Sequence, residues 1–592
     1  MRTRAFAVVV GLAAALLVFV LPLLIPLAAY PMNSASYSAG FNNKVAALAA
    51  AAIGGGVLLA AWMGWLAQAA CAPQPERMSR RFIAGIVLTL VTFLAFVCWM
   101  VAAAGTPYFF DAGYLQQQIT SVAVYQRQLY TEVEFPYGPL LLYASVAVYR
   151  VLAPLGGSVT TAYYVSLIAE HAIGMLALAY AMNRLPMRPM ARRIAYALLC
   201  LGSITNQLGI NYTLLRFALP IALLVFSVRR RGSTGRVTGL TASVLLEFAF
   251  SPEMGFATFV ACCAYAIARW RQSRGEAIAA VAFPGLGAAL LLSALPSYTK
   301  GLVTFGRGSY NLPVEPLPCI LIFLVAALWL APRGVGQYLH TRAPEGALLL
   351  ALYGLGVGLV PAALGRCDPL HLFFNGIPLF VLSLVAISGA MGRAAGAWLL
   401  CLGLLVGWMH VVNLRLKRVE AMAVMQQMAL HLPQPARIRL AHVIAHVAPT
   451  QAATLVRPPQ PPQLDLRRLE ELVGKSAVAT PYEVDPRIVQ QLERTGHFRP
   501  DYFAYLENVL TQEDEEKKIE VMNQAEWALL PGELPGGMAE TPQNIGDLQG
   551  FSFHYPIRHA LFLTNVLLRE NIAAHWRPVA DFGDLQLYRH HG

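Results

Sequence analysis

The stretch 344–390 reads PEGALLLALYGLGVGLVPAALGRCDPLHLFFNGIPLFVLSLVAISGA: an apolar run over 344–364, the polar break GRCDPLH, and a second apolar run over 372–390. Helices of that length, rising about 1.5 Å per residue, can cross a hydrocarbon layer about 30 Å thick. The same pattern repeats outward from this pair. Candidate spans lie at 5–29, 45–70, 82–104, 161–182, 194–206, 213–228, 237–250, 254–270, 277–295, 317–332, 344–364, 372–390 and 395–412, which makes thirteen crossings. The first span follows Arg2 and Arg4 and has no small-residue cleavage site before Asn33, so it reads as a retained helix rather than a signal peptide. With 57% hydrophobic and 13% charged residues in 592, the composition excludes an ordinary soluble globular protein. The eight cysteines lie in or beside apolar segments and form neither a metal-spaced set nor a disulfide framework.

The net charge of +12 belongs mainly to loops that set orientation, which argues against a nucleic-acid partner. Basic clusters at Arg77/Arg80/Arg81, Arg184/Arg188/Arg192/Arg193, Arg229/Arg230/Arg231/Arg236, Arg269/Arg271/Arg274, Arg333/Arg342 and Arg393 all fall on one side, the cytoplasmic one, if thirteen spans are counted. That agreement requires the apolar segment 136–153 to dip into the outer interface without crossing. Four spans, 194–206, 213–228, 237–250 and 317–332, are short. Their outer ends are expected to stop within the membrane and line a cavity, since irregular backbone at that depth must be satisfied by protein or water.

The loops opposite the basic clusters gather polar residues. They hold Asp111, Tyr114, Gln116, Gln117, Glu132 and Glu134, then Asn206, Gln207, Asn211 and Arg216, then Ser251 and Glu253, then Lys300, Arg307, Tyr310 and Asn311, and last Arg366, Asp368, His371 and Asn375. Ionisable groups at membrane depth are expensive and mark a functional path or site. Single residues have simpler readings too. Glu170 and Glu247 read as partners of neighbouring helices, His171 and His410 as satisfied interior histidines, and Glu132 and Glu134 as a solvated loop edge. A buried Arg366–Asp368 pair can also simply end a helix.

The first large loop begins TPYFFDAGY at 106–114 and ends EVEFPYGPL at 132–140, and a later break reads SPEMG at 251–255. An aspartate just beyond the third span, interfacial helices, and an aromatic-Gly-Pro-Leu start to the next apolar helix together resemble the GT-C superfamily of membrane glycosyltransferases. The resemblance runs over roughly 82–412 and implies a polyprenyl-phosphate-linked sugar donor, a glycan, lipid or protein acceptor, and a hexosyl or pentosyl transfer at the periplasmic face of the inner membrane. It makes Asp111 the catalytic base. Many members carry two adjacent acids here, whereas Ala112 and Gly113 follow Asp111 in this chain. One carboxylate is a poor site for a hard cation, so no metal ligands are assigned, although a divalent cation is possible.

Stabilising the departing lipid phosphate calls for cations, with Arg366 first and Arg216, Lys300 and Arg307 after it. Sugar recognition combines aromatic faces with amides and carboxylates, which selects Tyr114, Glu132, Glu134, Tyr137, Asn211, Glu253, Tyr310, Asp368, His371 and Asn375 as substrate-binding candidates, with Tyr108 and Tyr212 nearby. Aromatics also collect at membrane interfaces for solvation alone.

The expected architecture is an all-α polytopic membrane domain with a small extracytoplasmic α/β domain. Residues 1–81 form an N-terminal hairpin, 82–412 the catalytic domain with an external loop at 105–160, 413–460 a basic connector ending in prolines, and 461–592 the soluble domain. In the last, SAVAT at 476–480, EWALLP at 526–531 and LQLYR at 585–589 read as strands and 485–494 as a helix. Two other functions remain open at this point: a lipid or sugar transporter or flippase, and a noncatalytic polysaccharide-assembly component.

Overall fold

The computed structural model describes residues 2–25, 34–66, 78–104, 112–205, 209–308, 310–388, 393–416, 433–445, 464–482, 484, 486–499, 501, 503, 509, 511–534, 558 and 565–591. The first span is α1 (Arg2–Ala14), a π-helical turn (Ala15–Val20) and α2 (Leu21–Leu24); α3 (Ala35–Ala39) leads to α4 (Asn43–Trp62) and α5 (Arg80–Ala104). Two helices, α6 (Ala112–Ala123) and α7 (Pro139–Leu152), occupy the first large loop. Then come α8 (Val159–Arg184), α9 (Pro189–Ser203), α10 (Leu214–Val228), α11 (Ser233–Phe250), α12 (Pro252–Arg269), α13 (Arg274–Ala294) and the short α14 (Pro296–Gly306). The bundle closes with α15 (Pro318–Val325), a π-helical segment (Ala326–Leu330), α16 (Ala331–His340), α17 (Gly346–Gly365), α18 (Pro369–Ser388) and α19 (Arg393–Leu416).

Each span expected from the sequence coincides with a helix, and among the described residues nine helical stretches are long and apolar enough to cross a membrane. The expectation of a short span at 317–332 is corrected, because Pro318–His340 runs on as one stretch of 23 residues. The π-helical segment just before Pro332 absorbs the hydrogen bond that the proline cannot make, so the helix continues where the sequence reading stopped it.

The two ends of the bundle differ. At one end Arg229 donates to the Arg184 carbonyl (2.6 Å), and Arg236 and Arg269 both reach Glu276. At the other end the Asn43 side chain donates to the Leu312 and Leu364 carbonyls (both 2.7 Å), tying the start of α4 to the loop before α15 and to the last turn of α17. These bonds satisfy backbone acceptors that lipid would leave bare.

Helix length sets the depth of that second end. With 26 residues α8 spans about 38 Å, whereas α10, with 15, spans about 22 Å from the same basic end. The start of α10 therefore lies inside the hydrocarbon thickness. Nor does α7 cross: Gly138 at its start sits against the Phe248 and Ala249 carbonyls at the far end of α11, and its other end turns directly into α8.

Beyond α20 (Gln434–Ile444), the soluble domain holds α21 (Leu466–Val473), β1 (Val478–Ala479), α22 (Pro486–Thr495), β2 (Phe498–Arg499), α23 (Gln512–Asn523), β3 (Trp527–Pro531), α24 (Val566–His575), β4 (Trp576–Phe582) and β5 (Leu585–His590). The sheet order is β2-β1-β3-β5-β4, with β1 parallel to β2 and β3, and β5 antiparallel to β3 and β4. Alternation along β3 divides the core. Trp527 and Leu529 pack with Leu469, Leu492 and Leu587, while Ala528 and Leu530 pack with Met522, Leu568 and Trp576, so helices cover both faces.

Candidate functional site

The site is built around the short 3-10 turn Ile210–Tyr212, which hangs from the middle of α8. Thr213 donates to Glu170 (3.3 Å), and the Leu214 amide donates to His171 Nδ1 (3.1 Å), which satisfies two groups at the buried start of α10. His171 Nε2 meets Ser203 Oγ at the end of α9 (3.3 Å). Gly174, one turn along α8, allows the backbone of α10 to approach: a Cβ there would stand 2.1 Å from the Leu215 nitrogen.

Asn211 and Tyr212, adjacent in this turn, serve two different clusters. In the first, Arg216 is buried and bonded on every side. Its Nε donates to Ser251 Oγ (3.0 Å), its Nη1 to the Asn211 carbonyl, and its Nη2 pairs with Glu253, while the guanidinium lies over the Tyr137 ring with its carbon 4.7 Å from the centroid. Asn211 donates to the Tyr137 hydroxyl (3.0 Å), and Tyr130 donates to the Tyr137 carbonyl (2.6 Å). The break at Ser251–Pro252 between α11 and α12 is what brings Glu253 to Arg216. Glu247, fully buried near the end of α11, lies within the field of the same arginine.

The second cluster caps α18. One oxygen of Asp368 accepts from the Leu370 and His371 amides (3.0 and 3.1 Å), and the other lies 2.6 Å from His371 Nδ1 and 3.7 Å from Arg366 Nε. His371 Nε2 is 2.7 Å from the Tyr212 hydroxyl. With Nδ1–H donating to the carboxylate, Nε2 accepts from Tyr212, and the imidazole is fixed in one tautomer. Arg366 is partly exposed and stacks over Tyr310, its guanidinium carbon 5.3 Å from the ring centroid. Tyr310 has φ +63°, a left-handed backbone uncommon for a bulky residue. Asn375 donates back to the His371 carbonyl (3.0 Å), within its own helix.

Helix α6 lies beside the turn. Leu115 Cδ1 is 3.6 Å from where a Cβ on Gly209 would stand, Tyr114 donates to Glu134 (3.0 Å), and Thr160 donates to Gln116 (2.7 Å). Ala112, where α6 begins, is buried. Asp111, Tyr108, Asn206 and Gln207 lie outside the described residues.

The structure thus brings together Tyr137, Asn211, Arg216, Glu253, Tyr310, Arg366, Asp368, His371 and Asn375, with Tyr114 and Glu134 alongside through α6. It places Lys300, Arg307 and Glu132 differently. Lys300 pairs with Glu513 of the soluble domain, Arg307 lines the same gap, and Glu132 accepts from the Gln128 amide (2.8 Å) while facing that domain. Sequence reasoning undervalued Ser251, Glu170 and His171, which hold the turn and Arg216. A Ser before a Pro-Glu helix start, and two adjacent polar residues inside an apolar span, were the available signals. Among the described residues no three His, Cys, Asp or Glu side chains converge in a way that could hold a metal ion.

No protein-family profile matches the chain, and no curated protein matches it either. In structure the chain is similar to ArnT from Cupriavidus metallidurans. Against the crystal structure of ArnT bound to undecaprenyl phosphate the TM-score is 0.45 at 12% identity, covering 85% of this chain and 97% of that one. The apo crystal structure gives 0.41 at 12%, covering 86% and 98%. The cryo-EM structure of the mycobacterial arabinofuranosyltransferase AftD gives 0.40 at 13% identity, covering 89% of this chain and 41% of AftD.

Proposed function

We propose that the protein is a membrane glycosyltransferase that moves a hexosyl or pentosyl unit from a polyprenyl-phosphate donor to a glycan, lipid or protein acceptor, at the periplasmic face of the inner membrane. One observation carries the reading: polar side chains from the first large loop, the α9–α10 turn, the α11–α12 break, the loop after α14 and the α17–α18 loop meet in two linked clusters at the end of the bundle away from the basic loops. Such a site suits a substrate whose reacting group is polar and whose carrier is apolar.

The roles follow from the partners. Arg366, braced by Asp368 and set over the Tyr310 ring, offers its guanidinium fork to the leaving phosphate as negative charge builds there. His371 and Tyr212 form a fixed hydrogen-bonded pair beside it. Arg216 is a positioning residue, since its donors are already committed to Ser251, Asn211 and Glu253. Glu253, partly exposed beside the Tyr137 ring, presents a carboxylate to a sugar, while buried Asn211 holds the Tyr137 hydroxyl. Asp111, which immediately precedes α6, takes the proton from the acceptor hydroxyl in an inverting displacement.

The test is Asp111→Asn in the full-length protein, with envelope glycans and prenyl-linked sugars followed by mass spectrometry. Transfer falls by roughly 10²–10⁴-fold while the purified variant melts like the parent. Undiminished transfer would overturn the assignment. Transport or assembly functions predict no such selective loss.

A further inference from the structure

The soluble domain touches the bundle at several points far apart in the chain. Arg127 donates to the Asp501 carbonyl (2.9 Å), the Tyr125 and Phe498 rings lie 6.2 Å apart, the Arg558 amide donates to the Ser38 carbonyl (2.6 Å), and Lys300 pairs with Glu513. Beside the first of these contacts lies a cavity of about 440 Å³ lined on the bundle side by Tyr125, Arg127 and Glu132 and on the soluble side by Arg499, Lys517 and Gln524. Three cations from two domains face a single carboxylate across it.

Arg499 is held in place for this cavity, with its Nη1 on the Gln524 carbonyl (3.1 Å) and its Nη2 on the Gln524 side chain (3.0 Å). The two domains bring like charges together at some electrostatic expense. Burial lowers the Arg127 pKa, Glu132 and Asp501 oppose that shift, and the Arg499 charge adds to it. Burial likewise lowers Lys517, with Lys300 adding to the effect and Asp514, Glu513 and Glu520 opposing it. A bound anion would relieve both. The cavity lies within the range of small-molecule sites, roughly 300–1,000 Å³, and guanidinium groups match phosphate oxygens in pairs.

We propose that this seam cavity binds a phosphate-bearing headgroup, which bridges Arg127 of the bundle to Arg499 and Lys517 of the soluble domain and clamps the two together. The proposal does not depend on the transfer chemistry.

Hydrogen exchange of 124–133 and 486–523 in the full-length protein provides the test. The protein is placed in phosphatidylcholine nanodiscs with inorganic phosphate against chloride at matched ionic strength, and separately in nanodiscs containing phosphatidylglycerol. At free phosphate about ten times its Kd, exchange through domain opening slows about tenfold, and R499Q/K517Q abolishes the slowing while leaving exchange in β3 and β5 unchanged. Slowing by phosphate in solution means that the free group suffices. Slowing only in phosphatidylglycerol nanodiscs means that a lipid supplies it. No slowing with either probe, or equal slowing in R499Q/K517Q, overturns the proposal. If that double variant loses its β3–β5 protection, E132Q serves instead: removing the competing carboxylate tightens phosphate binding, and unchanged or weaker binding overturns the proposal.

Discussion

Arg216 and Arg366 belong to the two clusters joined by the site turn, but with different obligations. Arg216 is buried and its pairing with Glu253 is part of the fold, so Arg216→Gln leaves Glu253 without its partner and destabilises the bundle by about 3–5 kcal/mol. The drop in Tm in detergent checks this, and R216Q/E253Q recovers part of it. Arg366 is more open. Arg366→Gln leaves Tm unchanged and lowers kcat/KM for the donor by roughly 10–100-fold, the worth of a charge-assisted hydrogen bond, and Arg366→Lys recovers only part because an ammonium cannot bond in pairs. The sequence made Arg366, Asp368, His371 and Asn375 legible as a group because they share one short break between apolar runs. It could mark Arg216 and Glu253 only singly, since their pairing depends on how α10 meets α12. The plain reading of Glu170 as a partner for a neighbouring helix agrees with its bond from Thr213.

Between elements, the packing of α8 on α10 controls the site turn. Gly174→Ala sets a methyl against the Leu215 backbone, which cannot swing aside, and costs about 1–3 kcal/mol with a matching loss of activity. Gly56→Ala, where an added Cβ meets nothing within 4 Å, gains helix propensity of about 0.5–1 kcal/mol, and comparing the two Tm values separates packing from helix propensity. A second contact between elements responds to pH. Burial raises the Glu493 pKa, and Tyr125 beside it offsets only part of the shift. A carboxyl raised on folding contributes stability that is complete below its unfolded pKa and is lost as pH rises through the folded value. The α22 contact with the first loop therefore tightens toward mildly acidic pH. Hydrogen exchange of 124–133 across that range checks it, and E493Q flattens the profile. Hydropathy exposed the long helices, but could not reveal that π-helical segments carry a helix past a proline. Strand β4 was hidden because Pro578 and an exposed face mask its alternation, while its pairing with β5 supplies what the sequence does not advertise.

At the scale of the whole molecule, the soluble domain folds around a buried cation. Lys518 pairs with Asp501 and donates to the Phe503 carbonyl (3.1 Å), and the same Asp501 backbone receives Arg127 from the bundle. Lys518→Met leaves the carboxylate buried and lowers the stability of the soluble domain by about 3–5 kcal/mol. Calorimetry shows its transition moving down while that of the bundle stays in place. The sequence foretold an α/β domain after the last span, because alternating strands stood out against the apolar helices. Its docking could not be read, since the contacts join residues hundreds of positions apart.

The mismatch in length between α8 and α10 also shapes the surroundings of the protein. The start of α10, about 20 Å above the basic end in a hydrocarbon slab about 30 Å thick, sets a polar floor below the surface of the opposite leaflet. An amphiphile that lowers its head to that floor keeps its tail in oil throughout. Under the proposed function such a donor reacts without leaving the bilayer, so shortening its tail weakens anchorage and leaves the chemistry intact.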